Sequence, residues 1–267
     1  MELELKIFKN ILLIGCGKMG GALLNYWNKG EEQFTIVDPF LEEAPEGVRL
    51  FDNRDPIADE TFDVVIVAIK PQMIEAELPA YASMLADGGY VLSIAAGMAI
   101  DSLKRATPAA PVIRVMPNLP AAIGKGTSTL VAGPDVQDRQ REHALGMMER
   151  TGSVVEVENE DMLDRATAVA GSGPGYVFEI ARAYVAAAEE LGFPPEDARA
   201  LVMGTLEGTI AMAQAQSDTA LGELRDNVTS KGGTTAAGLK ALNGEGGLST
   251  LLHDTLKAAY DRAVELR

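Results

Sequence analysis

The chain has 267 residues, of which 47% are hydrophobic and 23% charged, and its formal net charge is −16. This composition is typical of a globular protein of one or two domains. The acidic balance excludes nucleic acid and anionic membranes as partners, because both would repel such a surface.

Cysteine and histidine content limits the possible chemistry. A single cysteine excludes an internal disulfide framework and fits a reducing compartment. The first ten residues, MELELKIFKN, are too acidic and too poor in apolar residues to suggest a signal peptide, and no apolar run approaches the roughly 18 residues of a membrane helix. We therefore expect a cytoplasmic protein. The two histidines, His143 and His253, form no ligand-spaced cluster, so we expect both at the surface and no metal site.

The first half of the chain alternates short β-branched runs with helical stretches. Strands are predicted at 10–15, 34–38, 48–51, 62–69, 90–95 and 112–116, followed by two more at 127–133 and 153–158. Helical segments, such as 20–29 and 73–85, lie between several of them. This alternation is typical of an α/β fold with a Rossmann-like, doubly wound parallel sheet, and we assign it to a domain spanning 1–158.

A glycine-rich motif lies between the first predicted strand and the first predicted helix. Gly15, Gly17 and Gly20 form G-x-G-x-x-G, in which the first glycine permits a tight turn, the second admits a pyrophosphate and the third allows close helix packing. Asp38 ends the second predicted strand about 20 residues later, where a carboxylate binds a ribose hydroxyl. The pattern predicts a dinucleotide site. Cys16, inside the loop, is interpreted as a small filler.

Three further loops, at 68–72, 95–98 and 116–120, follow predicted strand ends. Ligands bind at this edge of open α/β sheets, so these loops are candidates for a site. In the alternative interpretation, Pro71, Pro117 and Pro120 merely end strands and fix turns. Three such loops at one edge favour the first interpretation.

From about Asn159 the sequence is rich in alanine, glycine and leucine and shows no strand pattern. Predicted helices at 176–192 and 200–216 carry only four charges and one charge. Helices that are apolar on nearly every face must be buried, and a domain spanning 159–267 is too small to enclose them. We therefore expect a homodimer held together by this helical domain.

The segment 227–242 places hydroxyls and glycines in front of an alanine- and leucine-rich helix. Unpaired N–H groups at a helix start bind small anions, and glycines let a ligand approach the backbone. In the alternative interpretation, Ser230 or Thr234 only caps the helix.

Six motifs in chain order resemble those of pyrroline-5-carboxylate reductases: GCGKMG (15–20), AIKP (68–71), SIAAG (93–97), RVMPNLP (114–120), AGSGPGY (170–176) and LRDNVTSKGGTTAAGLKAL (224–242). The resemblance extends from about Ile11 to Leu266. It implies a Rossmann domain followed by a helical dimerisation domain, in dimers that assemble further into rings. The implied reaction is the reduction of the ring C=N of 1-pyrroline-5-carboxylate to L-proline with NADH or NADPH, in proline biosynthesis.

The motifs and the resemblance together assign candidate site residues. The cofactor would be bound by Gly15, Cys16, Gly17, Lys18, Met19, Gly20, Asp38, Asn53, Ala68, Ile69, Lys70, Pro71, Ala95, Ala96, Gly97 and Asn227. The substrate would be bound by Asn118, Gly232, Gly233, Thr234 and Thr235, with Thr235 and Ser230 as catalytic residues. A protonated imine accepts hydride readily, so no histidine base is needed.

Three departures from the family pattern bear on these assignments. Lys231 stands where the family usually has proline, and Ala170 and Gly175 replace the usual serine and alanine. Asp38 stands where members that favour NADPH carry a small hydroxyl or a basic group, so its charge slightly favours NADH. The alternative functions are a related imine or β-hydroxyacid reductase acting on another small carboxylate, and a non-catalytic NAD-binding sensor.

Overall fold

The computed structural model describes residues 8–266. Contacts between residues divide the chain into two compact units. The first unit comprises Met1–Pro174 together with Ala259–Arg267, and the second unit comprises Gly175–Ala258.

An eight-stranded sheet forms the centre of the first unit. Its strands are β1 Asn10–Ile14, β2 Gln33–Val37, β3 Arg49–Phe51, β4 Phe62–Val67, β5 Leu85–Ser93, β6 Val112–Met116, β7 Gly126–Ala132 and β8 Gly152–Glu156. Their order in the sheet is β3-β2-β1-β4-β5-β6-β7-β8, with the order reversing between β1 and β4. This is the predicted doubly wound arrangement.

One pair of strands departs from the predicted parallel sheet. β6 and β7 are antiparallel, with Val115 opposite Leu130. The connection between them, residues 117–125, holds a short 3-10 turn that ends at Gly124 with a φ of 69°. A parallel pair needs a crossover of a dozen or more residues, so this short connection returns the chain in the opposite direction.

Helices cover both faces of the sheet. They are α1 Lys18–Trp27, α2 Pro71–Glu77, α3 Ile100–Ala106, α4 Asp138–Glu149 and α5 Glu160–Ala166. Because side chains alternate along a strand, Ile11 and Leu13 of β1 join one hydrophobic core with α1 and α4. Leu12 and Ile14 join a second core with α2, α3 and α5. β4 is buried along its whole length, and its sequence FDVVIV is accordingly apolar except for Asp63.

The second unit is helical, as predicted. α6 Gly173–Glu190 begins just before it, α7 Pro195–Ala215, α8 Leu221–Asn227 and α9 Thr234–Leu242 lie within it, and α10 Leu248–Glu265 begins in it and ends in the first unit. Its core is small, with Ala188, Ala198 and Val202 as the buried residues. Phe178 and Ile210 are instead 64% and 59% exposed. Among residues 8–266 no helix combines the length and apolar character needed to cross a bilayer.

The contacts place residues 159–174 with the sheet, whereas the sequence interpretation groups them with the helical domain. The physical reason is the packing of α5, because Leu163 is 1% exposed and belongs to the second core of the sheet. The predicted boundary between residues 158 and 159 remains a prediction about domains, since compactness alone does not define a folding unit.

Candidate functional site

In the segment from the end of β1 into α1, the three glycines of the motif lie in three different physical surroundings. Gly15 has a φ of +82°, and a Cβ there would lie 2.9 Å from the carbonyl oxygen of Ala68. A Cβ on Gly20 would lie 3.1 Å from the carbonyl oxygen of Gly15, so this glycine allows α1 to approach the loop closely. Gly17 faces open space, since no heavy atom of the described chain beyond its immediate neighbours lies within 4 Å of the position that a Cβ would take. It is the N-cap of α1 and makes no side-chain cap hydrogen bond, so the helix start is open to a ligand.

Asp38 holds the glycine-rich loop in place. Its Oδ2 accepts a hydrogen bond of 2.6 Å from the backbone N–H of Cys16, and its Oδ1 accepts one of 2.8 Å from the N–H of Phe40. A carboxylate has about four acceptor positions, so capacity remains for a ribose hydroxyl. Burial, followed by the charge of Asp38, raises the pKa of the Cys16 thiol to about 11. The thiol is therefore protonated at neutral pH and unreactive.

A cleft of about 490 Å³ opens at the carboxyl ends of β1, β2 and β4. Seven of the predicted cofactor residues line it: Gly15, Gly17, Asp38, Asn53, Ala68, Ile69 and Lys70. Its size and its place at the reversal of strand order are typical of a nucleotide site.

The other predicted cofactor residues lie outside the lining of this cleft. Cys16 is buried, and Lys18, Met19 and Gly20 form the first turn of α1. Pro71 begins α2, which follows directly after Lys70. Ala95, Ala96 and Gly97 follow β5, and Asn227 ends α8 in the second unit.

Several residues that line the cleft are absent from the set of predicted site residues. They are Ile14, Val37, Pro39, Phe40, Asp52, Arg54, Asp55, Met73, Glu77 and Tyr81. Phe40 is 88% exposed, which is unusual for a large apolar side chain. Phe40 and Arg54 follow the ends of β2 and β3. The rule that ligands bind at the carboxyl ends of strands, applied to these two strands, would have found them.

Asn118 is largely occupied by hydrogen bonds within the protein. Its Nδ2 donates to the carbonyl oxygen of Ala170 at 3.1 Å, and its Oδ1 accepts from the N–H of Thr127 at 2.8 Å. The side chain is 7% exposed and joins the loop after β6 to the π-helical turn Thr167–Gly171. The structure therefore gives Asn118 a structural role, with the second N–H of its amide and one lone pair of Oδ1 left for a substrate.

The start of α9, the predicted substrate-binding segment, has no side-chain cap. Its N-cap is Gly233, and no side-chain cap hydrogen bond is made there. The interpretation in which Ser230 or Thr234 caps the helix is therefore wrong. Instead, the Gly233 N–H donates to the carbonyl oxygen of Ser230 at 3.0 Å, and Gly232 adopts a φ of +73° that favours glycine.

The predicted substrate and catalytic residues of the segment 230–235 lie together at this helix start, whereas Asn118 belongs to the first unit. A Cβ on Gly233 would lie 2.3 Å from Ser230 Oγ, so glycine is required for the serine hydroxyl to lie over the backbone. Thr234 and Thr235 form the first two positions of α9, and Thr235 is exposed. The first N–H groups of a helix have no partner within it, so this segment presents donors next to two kinds of hydroxyl.

His143 is not a surface residue, contrary to the prediction. Its side chain is 16% exposed, its Nδ1 lies 2.8 Å from the hydroxyl of Tyr90, and its ring packs against Phe8. It lies on the buried face of α4, one residue before Ala144. His253 is exposed, as predicted. Within residues 8–266 no group of three or more His, Cys, Asp or Glu side chains is arranged to hold a metal ion.

Comparisons with known proteins agree with this architecture. A family model described as pyrroline-5-carboxylate reductase dimerisation matches residues 160–266, and one described as NADP oxidoreductase coenzyme F420-dependent matches residues 10–97. A pyrroline-5-carboxylate reductase from Pseudomonas aeruginosa is 35% identical, with 96% of each chain covered. One from Vibrio alginolyticus is 37% identical, with 97% of each chain covered.

A solved structure extends the similarity to three dimensions. A pyrroline-5-carboxylate reductase from Coxiella burnetii superposes with a TM-score of 0.89 and 30% identity, covering 97% of this chain and 99% of that one. Sequence similarity over nearly the whole length and the shared fold lead to one conclusion: the chain belongs to the pyrroline-5-carboxylate reductase family.

Proposed function

We infer that the protein reduces the ring C=N of 1-pyrroline-5-carboxylate to L-proline with NADH or NADPH. Family membership supports the reaction. The observation that carries the substrate assignment is the start of α9, where a helix begins at Gly233 without a side-chain cap and beside Ser230.

The cleft of the first unit fits a dinucleotide. Gly17 leaves the start of α1 open, which suits a pyrophosphate, because the unpaired N–H groups and the helix dipole favour negative charge there. Asp38 fixes the loop through Cys16 and has acceptor capacity left for a ribose. The exposed ring of Phe40 suits a nucleobase. When bound, the reduced nicotinamide supplies the hydride.

A carboxylate suits the start of α9 for the same electrostatic reason. An anion at a helix N-terminus is stabilised by roughly 0.3–1 kcal/mol when exposed and by up to about 2 kcal/mol when partly buried. We propose that the backbone of Gly233, Thr234 and Thr235 binds the substrate carboxylate. The Gly233 N–H already donates to the carbonyl oxygen of Ser230, so the N–H groups of Thr234 and Thr235 are the principal donors for the carboxylate. Gly232 and Gly233 contribute no side chain of their own beside these donors.

We propose that the hydroxyl of Thr235 hydrogen-bonds the ring nitrogen and that Ser230 assists it. A protonated imine is already a strong hydride acceptor, so the residues need to orient the substrate rather than to provide a strong base. This assignment fits a site in which the segment 230–235 contains hydroxyls and one lysine but no histidine.

We also propose that the protein works as a homo-oligomer, at least a dimer. Long apolar helices of the second unit leave large side chains exposed, among them Val177 at 60% and Ile210 at 59%. A second copy would bury them. The match of residues 160–266 to a dimerisation family supports this proposal.

The function is tested by following the absorbance of the reduced cofactor during incubation with 1-pyrroline-5-carboxylate. We expect turnover with this imine and none with β-hydroxyacids and oxidised cofactor. The critical variant is Thr235→Ala. It should lower kcat/KM by about tenfold to a hundredfold, since a hydrogen bond to a reacting group contributes on the order of 1–3 kcal/mol.

Two further variants separate chemistry from folding. Thr235→Ser retains the hydroxyl and should restore most of the activity. Thr250→Ala removes another exposed threonine from the first turn of a helix, α10, and should leave activity unchanged. Equal activity of wild type and a folded Thr235→Ala would remove this hydroxyl from the mechanism.

A further inference from the structure

The end of α10 lies against the loop that follows β5. Gly97 has a φ of +74°, and a Cβ on this residue would lie 2.6 Å from the carbonyl oxygen and 3.4 Å from the Cβ of Leu266. The space beside Gly97 is therefore filled by Leu266, the residue that follows α10. Both residues belong to the first unit.

Side-chain contacts join this end of α10 to α5. The hydroxyl of Tyr260 donates to Asp161 Oδ1 at 2.6 Å. Asp161 Oδ2 accepts from Arg165 Nε at 2.7 Å, and the Arg165 guanidinium lies 4.8 Å from the centre of the Tyr260 ring. The tyrosine is thus held through both its hydroxyl and its ring.

Glu160, the residue before Asp161, contacts the other end of the loop that follows β5. Glu160 Oε1 accepts a hydrogen bond of 2.9 Å from the N–H of Ile100, the first residue of α3, and pairs with the buried guanidinium of Arg114 on β6. Two adjacent carboxylates on α5 therefore hold the loop 95–99, Glu160 through the start of α3 and Asp161 through the end of α10.

We propose that Tyr260 is a positioning residue for cofactor binding. It acts by holding the end of α10, so that Leu266, the residue after the helix, contacts Gly97 and keeps the loop 95–97 in its binding conformation. The proposal rests on the proposed function and on the assignment of Ala95, Ala96 and Gly97 to cofactor binding, which the family resemblance implies for this loop at the carboxyl end of β5. A loop held at both ends binds with less loss of conformational freedom than one that must be ordered on binding.

The test compares wild type with Tyr260→Phe, which keeps the ring beside Arg165 and removes only the hydroxyl. The affinities for NADH and NADPH are measured by calorimetry in the absence of substrate, and steady-state constants are measured with 1-pyrroline-5-carboxylate. We expect the Kd and KM of the cofactor to rise about threefold to tenfold. The kcat and the KM of the imine should change little.

Further variants test whether Tyr260 affects the cofactor Kd through Asp161. Asp161→Ala removes the hydrogen bond from Tyr260 and also the ion pair with Arg165, so it should raise the cofactor Kd at least as much as Tyr260→Phe. The double variant should bind no more weakly than Asp161→Ala alone, because that change already removes the Tyr260 hydrogen bond. Tyr184→Phe, on α6 and 49% exposed, is the matched control and should bind cofactor as wild type does.

The outcomes separate this proposal from the proposed function. An unchanged cofactor Kd in Tyr260→Phe overturns the positioning role, as does a parallel loss of kcat, both KM values and thermal stability. Wild type that binds cofactor but does not reduce the imine contradicts the proposed function, and the calorimetric comparison still decides the role of Tyr260. Wild type that binds neither cofactor overturns both.

Discussion

Glu32 forms a partly buried ion pair with Arg150 whose contribution to stability depends on pH. Its side chain is 6% exposed, and it accepts two hydrogen bonds of 2.6 and 2.7 Å from the guanidinium of Arg150. Burial alone would raise the pKa of the Glu32 carboxyl. The neighbouring His143 ring and Arg150 outweigh that effect and lower the pKa from its ordinary value of 4.5 to about 2.

The sign and size of the effect follow from these two pKa values. Because the folded protein holds the carboxylate more strongly in its charged form, the stabilisation is complete above about pH 4.5 and is lost as the pH falls toward 2. A difference of about 2.5 between the two pKa values corresponds to about 3 kcal/mol. We therefore expect Glu32→Gln to lower the free energy of unfolding by about 2–3 kcal/mol at pH 7.

The only tryptophan provides the assay. Trp27 is fully buried, and its carbonyl oxygen accepts a hydrogen bond of 3.2 Å from Arg150. Its fluorescence during urea unfolding thus reports on the unit that contains Glu32. The difference in the free energy of unfolding between wild type and Glu32→Gln should be nearly constant from pH 8 to 5. It should fall to less than half of that value by about pH 3.

Glu60→Gln is the matched control. Glu60 also accepts two hydrogen bonds from an arginine, Arg49, but the two side chains are 39% and 49% exposed. An exposed pair contributes only about 0–1 kcal/mol. Equal losses for the two variants at pH 7, or a Glu32 difference that persists unchanged at pH 3, would refute the reasoning.

Two other predictions concern the cofactor and the assembly. The wild type should use NADH at least as well as NADPH, and Asp38→Ser should shift the ratio of the two kcat/KM values toward NADPH by about tenfold, since a 2′-phosphate is repelled by the carboxylate. A strong NADPH preference of wild type would contradict this. Ile210→Glu should weaken self-association in sedimentation measurements, because it places a charge on an exposed apolar face of α7. A wild type that is already monomeric at micromolar concentration would exclude the homodimer.

The strands were predictable because short runs of apolar, β-branched residues indicate buried strands. β4 reads FDVVIV and is buried throughout, and its predicted range 62–69 contains the observed Phe62–Val67. β5 was predicted too short at its start. Its first residues, LADGG, contain no β-branched side chain, and the pairing with β4 is irregular between Phe62 and Val64. That part of the strand depends on its neighbour and not on its own propensity.

The partners of site residues were less predictable, because they join distant parts of the chain. Asp38 was expected to face a ribose, and its bond to the N–H of Cys16 depends on how β1 and β2 are aligned. His143 was within reach of sequence reasoning. It lies three residues after Gln140 and four before Met147, both buried, which puts it on the inner face of α4.

The role of a glycine is especially difficult to predict from sequence. Gly17 and Gly97 were both assigned to cofactor binding, and a missing side chain is compatible with a ligand or with a neighbouring segment. At Gly17 the space is open, which fits a ligand. At Gly97 it is filled by Leu266, a residue 169 positions later in the chain. The contact with Leu266 therefore explains the need for glycine at this position without a ligand. In the positioning role that we propose for Tyr260, the hydrogen bond to Asp161 contributes to cofactor affinity by holding the end of α10 against the loop 95–97.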